Sequence, residues 1–91
     1  MKKDVCQRWY VYILECSDRS LYTGYTNNVE KRVAKHQSGK GAKYTRGRRP
    51  VKLAAVWEYP SKSFAMRWEY MIKQMSRTDK LDMIAWQLEN S

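Results

Sequence analysis

Between Gly39 and Lys52 the chain places Lys40, Lys43, Arg46, Arg48, Arg49 and Lys52 with no acidic residue, and breaks the run with Gly39, Gly41, Gly47 and Pro50. Ammonium and guanidinium groups at this density neutralise phosphates, and the Tyr44 ring within the run can stack on a base. Glycine and proline make the segment a loop with room for one short helical turn. A solvated charge run is the plain alternative. An uncompensated cluster punctuated by glycines fits a phosphate-tracking surface better, with Lys40, Lys43, Tyr44, Arg46, Arg48 and Arg49 as the nucleic-acid contacts. Just upstream, Arg32 and His36 stand one helical turn apart on the same face as Val29 and Val33. That mixture is awkward for a purely structural helix, because a buried guanidinium needs a partner. A site at the border between core and solvent resolves it.

The whole chain carries the same sign. A formal net charge of +9 over 91 residues, with four Trp and seven Tyr, points to a polyanionic partner, nucleic acid first. A basic membrane-surface protein would also be positive, but no stretch is long and apolar enough to span a bilayer. The amino terminus lacks a signal peptide's apolar region, so a cytoplasmic location is expected. Cys6 and Cys16 have no CxxC spacing and accompany a single histidine, which argues against structural zinc and for reduced thiols. The length fits one domain with a modest core and one site, expected as a monomer without a small-molecule cofactor. Residues 1–8 are polar and mixed in charge, an expected flexible lead-in to a domain over 9–91.

The positioning elements follow from periodicity. Trp9 to Cys16 alternates Tyr10, Tyr12 and Leu14 with Val11 and Ile13, so both faces are apolar and the strand should be central. Leu21 to Tyr25 is the returning strand of a hairpin. A three-residue loop of Ser17, Asp18 and Arg19 pairs Leu14 with Tyr22 and Tyr12 with Gly24, which brings the tyrosines to one face, whereas a two-residue loop would separate them. The three-residue loop asks Arg19 for a left-handed backbone. Gly24 leaves a spot where a ligand backbone or the Tyr12 ring can approach closely. Asn27, with Glu30 three residues on, predicts a capped helix from about Asn28 to Ser38 that stops at Gly39. Leu53 to Tyr59 is a third strand ended by Pro60. Ser61 or Ser63 caps a helix through about Met75, with Phe64, Trp68, Met71, Ile72 and Met75 as its apolar stripe. Thr78 caps a last helix with Leu81, Ile84, Ala85 and Leu88 packed inward. The sum is an α+β fold: a small three-stranded antiparallel sheet, hairpin plus a third strand, flanked by helices in the order β-β-α-(basic loop or short helix)-β-α-α.

Tyr10-Val11-Tyr12 and Tyr22-Thr23-Gly24 resemble the two triplets of the GIY-YIG nuclease signature. The continuation Thr26-Asn27-Asn28-Val29-Glu30-Lys31-Arg32, then His36, Lys43-Tyr44-Thr45-Arg46 and Glu69, keeps the family's order over roughly Trp9 to Arg77. The chain is similar to the small stand-alone bacterial members. The resemblance implies Tyr22 as general base, although a free phenol with a pKa near about 10 needs cationic or metal neighbours for that work. It implies Tyr12 holding the water or phosphate, Arg32 forking two non-bridging phosphate oxygens, and Glu69 binding Mg²⁺ or Mn²⁺ with waters and substrate oxygens. His36 would orient a phosphate or share the proton. Each has a bland alternative: a surface strand tyrosine for Tyr22, half-buried packing for Tyr12, an exposed helix arginine for Arg32, a helix-end surface residue for His36, and an i to i+4 ion pair with Lys73 for Glu69. Two departures bear on rate, metal affinity and substrate choice rather than fold. Tyr10 replaces the first glycine, and no residue after Glu69 matches the polar group that some members add.

The expected function is a metal-dependent endonuclease hydrolysing DNA phosphodiesters, on branched, damaged or single-stranded forms, since one small domain offers no obvious helix for reading a long sequence. The alternatives are a nucleic-acid-binding module with the same constellation idle, and a basic adaptor for ribosomal RNA or another acidic partner.

Overall fold

A computed structural model describes residues 8–90. Residues 1–7 of the expected lead-in, with Cys6, lie outside the described residues, as does Ser91. Arg8, counted with that lead-in, pairs with Glu58 at 2.9 Å. The elements are β1 (Trp9–Glu15), β2 (Leu21–Thr26), α1 (Val29–Gln37), α2 (Lys43–Arg46), β3 (Lys52–Tyr59), α3 (Lys62–Lys73) and α4 (Arg77–Glu89). The three strands form one antiparallel sheet in the order β2-β1-β3, so β1 is central as its two apolar faces require.

The hairpin adopts the three-residue loop. Tyr12 faces Gly24 and Leu14 faces Tyr22 across the ladder. Arg19 takes the left-handed backbone at φ 71°. Its carbonyl accepts a hydrogen bond from Arg77 Nη1 at 2.6 Å, and Asp18 Oδ1 accepts from Ser20 N at 3.0 Å, so the loop is held from both sides. Gly24 lies under the Tyr12 ring: a Cβ there would stand 2.5 Å from Tyr12 Oη and 2.7 Å from Cζ. Tyr12 is fully buried and has nowhere to retreat. Gly24→Ala is therefore expected to cost about 1 to 3 kcal/mol by overpacking, read as a lower urea midpoint.

The two faces of β1 build two clusters. Val11 and Ile13 pack with Ala65 and Ile72 of α3, joined by Trp57, Met83 and Ile84. Tyr12, Leu14 and Cys16 pack with Val51, and Val33 of α1 and Tyr22 close over them. The α1 helix ends on Gly39 at φ 85° as expected. Its cap is Asn28 rather than Asn27: Asn28 Oδ1 accepts from Lys31 N at 3.0 Å, and Thr26 Oγ1 takes the Asn28 N–H at 3.1 Å, which delays the helix by one residue. The last helix likewise starts from Ser76, whose Oγ accepts from Asp79 N at 3.1 Å, and not from Thr78.

The faces of α3 and α4 differ from the expected stripes. In α3, Ala65 and Ile72 are buried, whereas Phe64 and Met71 are each 48% exposed. A helix lying on a sheet needs a small side chain at closest approach, and Ala65 supplies it. That rotation places the row Ala65, Glu69, Ile72 inward and turns the larger apolar groups out. In α4, Leu81 and Leu88 are 42% and 72% exposed and Ala85 also faces outward; only Ile84 of the expected set packs inward, with Met83. Gln87 meets β3 with its amide: Val56 N donates to Gln87 Oε1 at 3.0 Å, and Gln87 Nε2 donates to the Val56 carbonyl. Gln37 holds Val51 in the same manner, accepting from Val51 N at 3.0 Å and donating to its carbonyl at 2.5 Å.

Candidate active site

The site has an inner row and an outer surface. The β1 pleat points Tyr12 across Gly24 toward α1, where its hydroxyl lies 3.0 Å from His36 Nε2. The other ring nitrogen, Nδ1, lies 2.8 Å from Thr45 Oγ1, and Thr45 Oγ1 donates to the Ala42 carbonyl at 2.9 Å. Tyr12, His36 and Thr45 are 0%, 1% and 0% exposed. The short helix α2 forms because the chain turns tightly at Gly41, where a Cβ would come within 2.8 Å of His36 Cα. One row of side chains thus ties β1, α1 and the basic segment together.

Above this row lie Tyr22, Arg32, Glu69 and Lys73. The Tyr22 ring centroid is 5.2 Å from that of His36, 6.4 Å from that of Tyr12 and 5.8 Å from that of Tyr44. Lys73 Nζ stands 5.8 Å from the Tyr22 centroid and 3.0 Å from Glu69 Oε2. Glu69 is only 15% exposed in its side chain, because the α3 row of Ala65 and Ile72 carries it inward. Arg32 is solvent-exposed.

These groups feel one another. Burial pushes the Tyr12 hydroxyl up to about 12, with Tyr22 and Glu69 adding to the rise and the Arg32 guanidinium opposing it. Tyr12 therefore keeps its proton and acts as a fixed hydroxyl. Burial, and then the Arg32 charge, hold the His36 imidazole below its ordinary 6.5. The unfolded chain takes up this proton near its ordinary pKa while the folded chain resists it. Stability from His36 is thus fully present above about 6.5 and lost as pH falls below it. Urea midpoints at about pH 7.5 and 5.5 should separate more for the wild type than for His36→Gln.

All five residues that the motif singled out converge here. Tyr22, Arg32 and Glu69 border the outer surface, whereas Tyr12 and His36 lie beneath it. His36 is neither a helix-end surface residue nor open to a phosphate: both ring nitrogens have partners inside the protein. Thr45 had no role assigned from sequence, and its signal was its place in the Lys43-Tyr44-Thr45-Arg46 stretch of the resemblance.

The basic segment divides in two. Arg48 Nε pairs with Asp18 Oδ2 at 3.0 Å, its Nη1 donates to the Tyr44 carbonyl at 2.8 Å, and its Cζ lies 4.2 Å from the Tyr44 ring centroid. Arg49 donates to the carbonyls of Arg46 at 3.1 Å and Gln37 at 3.2 Å. These two arginines brace the loop. Lys40, Lys43 and Arg46 are exposed, with no ion pair among the described residues. A groove of about 230 Å³, lined by Thr26, Asn27, Asn28, Lys31, Arg32 and Lys35, extends the positive surface along α1.

Among the described residues no three His, Cys, Asp or Glu side chains gather to hold an ion. The donor set at the site is one largely buried carboxylate, Glu69, a hard oxygen ligand that suits Mg²⁺ or Mn²⁺ completed by water and phosphate oxygens.

The hairpin with paired tyrosines, the arginine helix and the inward glutamate all fall within the stretch that matches a known catalytic domain. The GIY-YIG catalytic domain matches residues 8–82, and the chain belongs to this family, a nuclease superfamily whose members typically use a divalent metal. It is 60% identical over 76 residues to the UPF0213 protein BH0048 of Halalkalibacterium halodurans, covering 84% of this chain and 81% of that one. It is 63% identical over 75 residues to the UPF0213 protein SH2523 of Staphylococcus haemolyticus, covering 82% and 92%. The solution NMR structure of BH0048 superposes with a TM-score of 0.57 at 58% identity, covering 87% of this chain and 84% of that one. The solution NMR structure of EF2693 from E. faecalis gives 0.59 at 33% identity, covering 89% and 88%. No helix among the described residues is long and apolar enough to cross a membrane.

Proposed function

We propose that the protein is a divalent-metal-dependent endonuclease that hydrolyses phosphodiester bonds in DNA, on branched, damaged or single-stranded forms. The observation that carries this reading is the packing of the Tyr22 ring against Tyr12 and His36, with Glu69 and Lys73 beside it on α3 and Arg32 one turn before His36 on α1. Glu69 would hold Mg²⁺ or Mn²⁺, and a bound ion supplies Lewis-acid neutralisation of charge on the phosphate. Arg32 forks onto two non-bridging oxygens and stabilises the charge that grows there. Tyr22 would act in its phenolate form, Oη taking the proton of the attacking water and ending as the neutral phenol, and the Lys73 ammonium, 5.8 Å from the ring centroid, is the cation that faces the phenolate beforehand. Tyr12, kept protonated by burial, and His36 behind it fix the floor on which the water and phosphate sit.

The Glu69–Lys73 ion pair favours a second reading, a binding module with an idle site, because a metal must displace the ammonium. Nicking of linear, forked and single-stranded DNA with Mg²⁺ or Mn²⁺, against a chelator control, separates the two. Metal-dependent product on any substrate is expected, and none on all three would leave the binding module. In either case Lys43→Ala with Arg46→Ala should weaken binding across sequences and lower the slope of log K against log salt by about 2. Unchanged affinity at low salt would refute the role of these two cations.

A further inference from the structure

The inner row has a direction, and Thr45 sets it. The Thr45 hydroxyl gives its proton to the Ala42 carbonyl at 2.9 Å, so His36 Nδ1, 2.8 Å from the Thr45 oxygen, donates to it, and Nε2 accepts the Tyr12 proton across 3.0 Å. Nε2 is then the bare nitrogen, and the ring proton sits on Nδ1.

We propose that Thr45 is a positioning residue: by accepting from His36 Nδ1 and donating to the Ala42 carbonyl, it fixes the histidine tautomer and thereby the direction in which Tyr12 presents its lone pairs to the site. The proposal deepens the nuclease reading and rests on it for its catalytic consequence. Thr45 lies in α2, between the cations Lys43 and Arg46, so the segment that meets phosphates and the segment that orients Tyr12 are one turn of chain. Thr45→Val keeps the shape and removes the acceptor. The Ala42 N–H, which in the wild type stands 3.4 Å from Nδ1 and gives way to the closer Thr45 oxygen at 2.8 Å, is then the group left facing Nδ1, and that donor requires a bare Nδ1. The ring proton moves to Nε2, and the Tyr12 hydroxyl must rotate away from His36.

His36 is the only histidine, so two-bond proton–nitrogen correlation spectra of the untagged, ¹⁵N-labelled protein at neutral pH read its tautomer without assignment. The wild type should carry its proton on Nδ1, Thr45→Val on Nε2, and Thr45→Ser again on Nδ1. A wild-type proton on Nε2, or a folded Thr45→Val that keeps it on Nδ1, overturns the proposal. Should Thr45→Val fail to fold, the wild-type and Thr45→Ser spectra decide by the same criterion. In the nicking assay Thr45→Val should lose at least tenfold in rate with unchanged DNA affinity, and Thr45→Ser should restore it. Absence of cleavage in the wild type would count against the nuclease reading alone, since the spectra settle the tautomer independently.

Discussion

Glu69→Gln is expected to lower metal-dependent cleavage on the order of 10³-fold, the loss of several kcal/mol of charge stabilisation, while binding of the same DNA stays equal or tightens. The substitution keeps the length and shape of the side chain and removes one negative charge. The fold should tolerate it, because the lost partner is Lys73, whose side chain is 45% exposed, and such i to i+4 pairs contribute about 0.3 to 0.5 kcal/mol. Tighter binding would reflect relieved repulsion of phosphate and an ammonium freed from its pair. Manganese titration of both proteins, followed by amide shifts near Tyr22, Arg32 and position 69, gives a reading that needs no substrate. Equal cleavage by the two proteins would sink the metal assignment and leave Glu69 as the partner of Lys73.

For Arg32→Ala the expected loss is about 2 to 4 kcal/mol in the chemical step, roughly 30- to 1,000-fold in single-turnover rate. Arg32 is exposed and carries no ion pair among the described residues, so its removal should move the melting temperature little. It should also move His36: the guanidinium is one of the two causes holding that imidazole low, so the variant should lose less stability than the wild type on acidification. A large fall in melting temperature alongside the loss of rate would make Arg32 a structural residue instead.

What could be read from sequence depended on how local its cause was. The hairpin register followed from loop length and the alternation of Tyr12, Leu14 and Tyr22, and the position of β1 followed from its two apolar faces. Helix starts slipped by a residue or two, because Asn27 and Asn28, or Ser76 and Thr78, are nearly equivalent caps until Thr26 or the preceding turn chooses between them. The face of α3 was misread because of side-chain size. Large side chains dominate an apolar stripe, whereas contact with a sheet rewards small ones, and the row that packs, Ala65, Glu69 and Ile72, has a carboxylate in its middle. The same rotation is what brings Glu69 to the site. His36 could not be placed inside from sequence, since its two hydrogen-bond partners, Tyr12 and Thr45, stand 24 and 9 residues away.

The Gln87 amide has a meaning beyond holding α4. Val56 lies on β3, a boundary strand of the sheet, and its N–H and C=O point away from β1 into the place where a fourth strand would dock. A primary amide presents one donor and one acceptor at the spacing of a peptide unit, so Gln87 acts as a single-residue surrogate strand and occupies the site where another chain would begin to pair. Closing that border with a side chain keeps two copies of the chain from knitting edge to edge along β3.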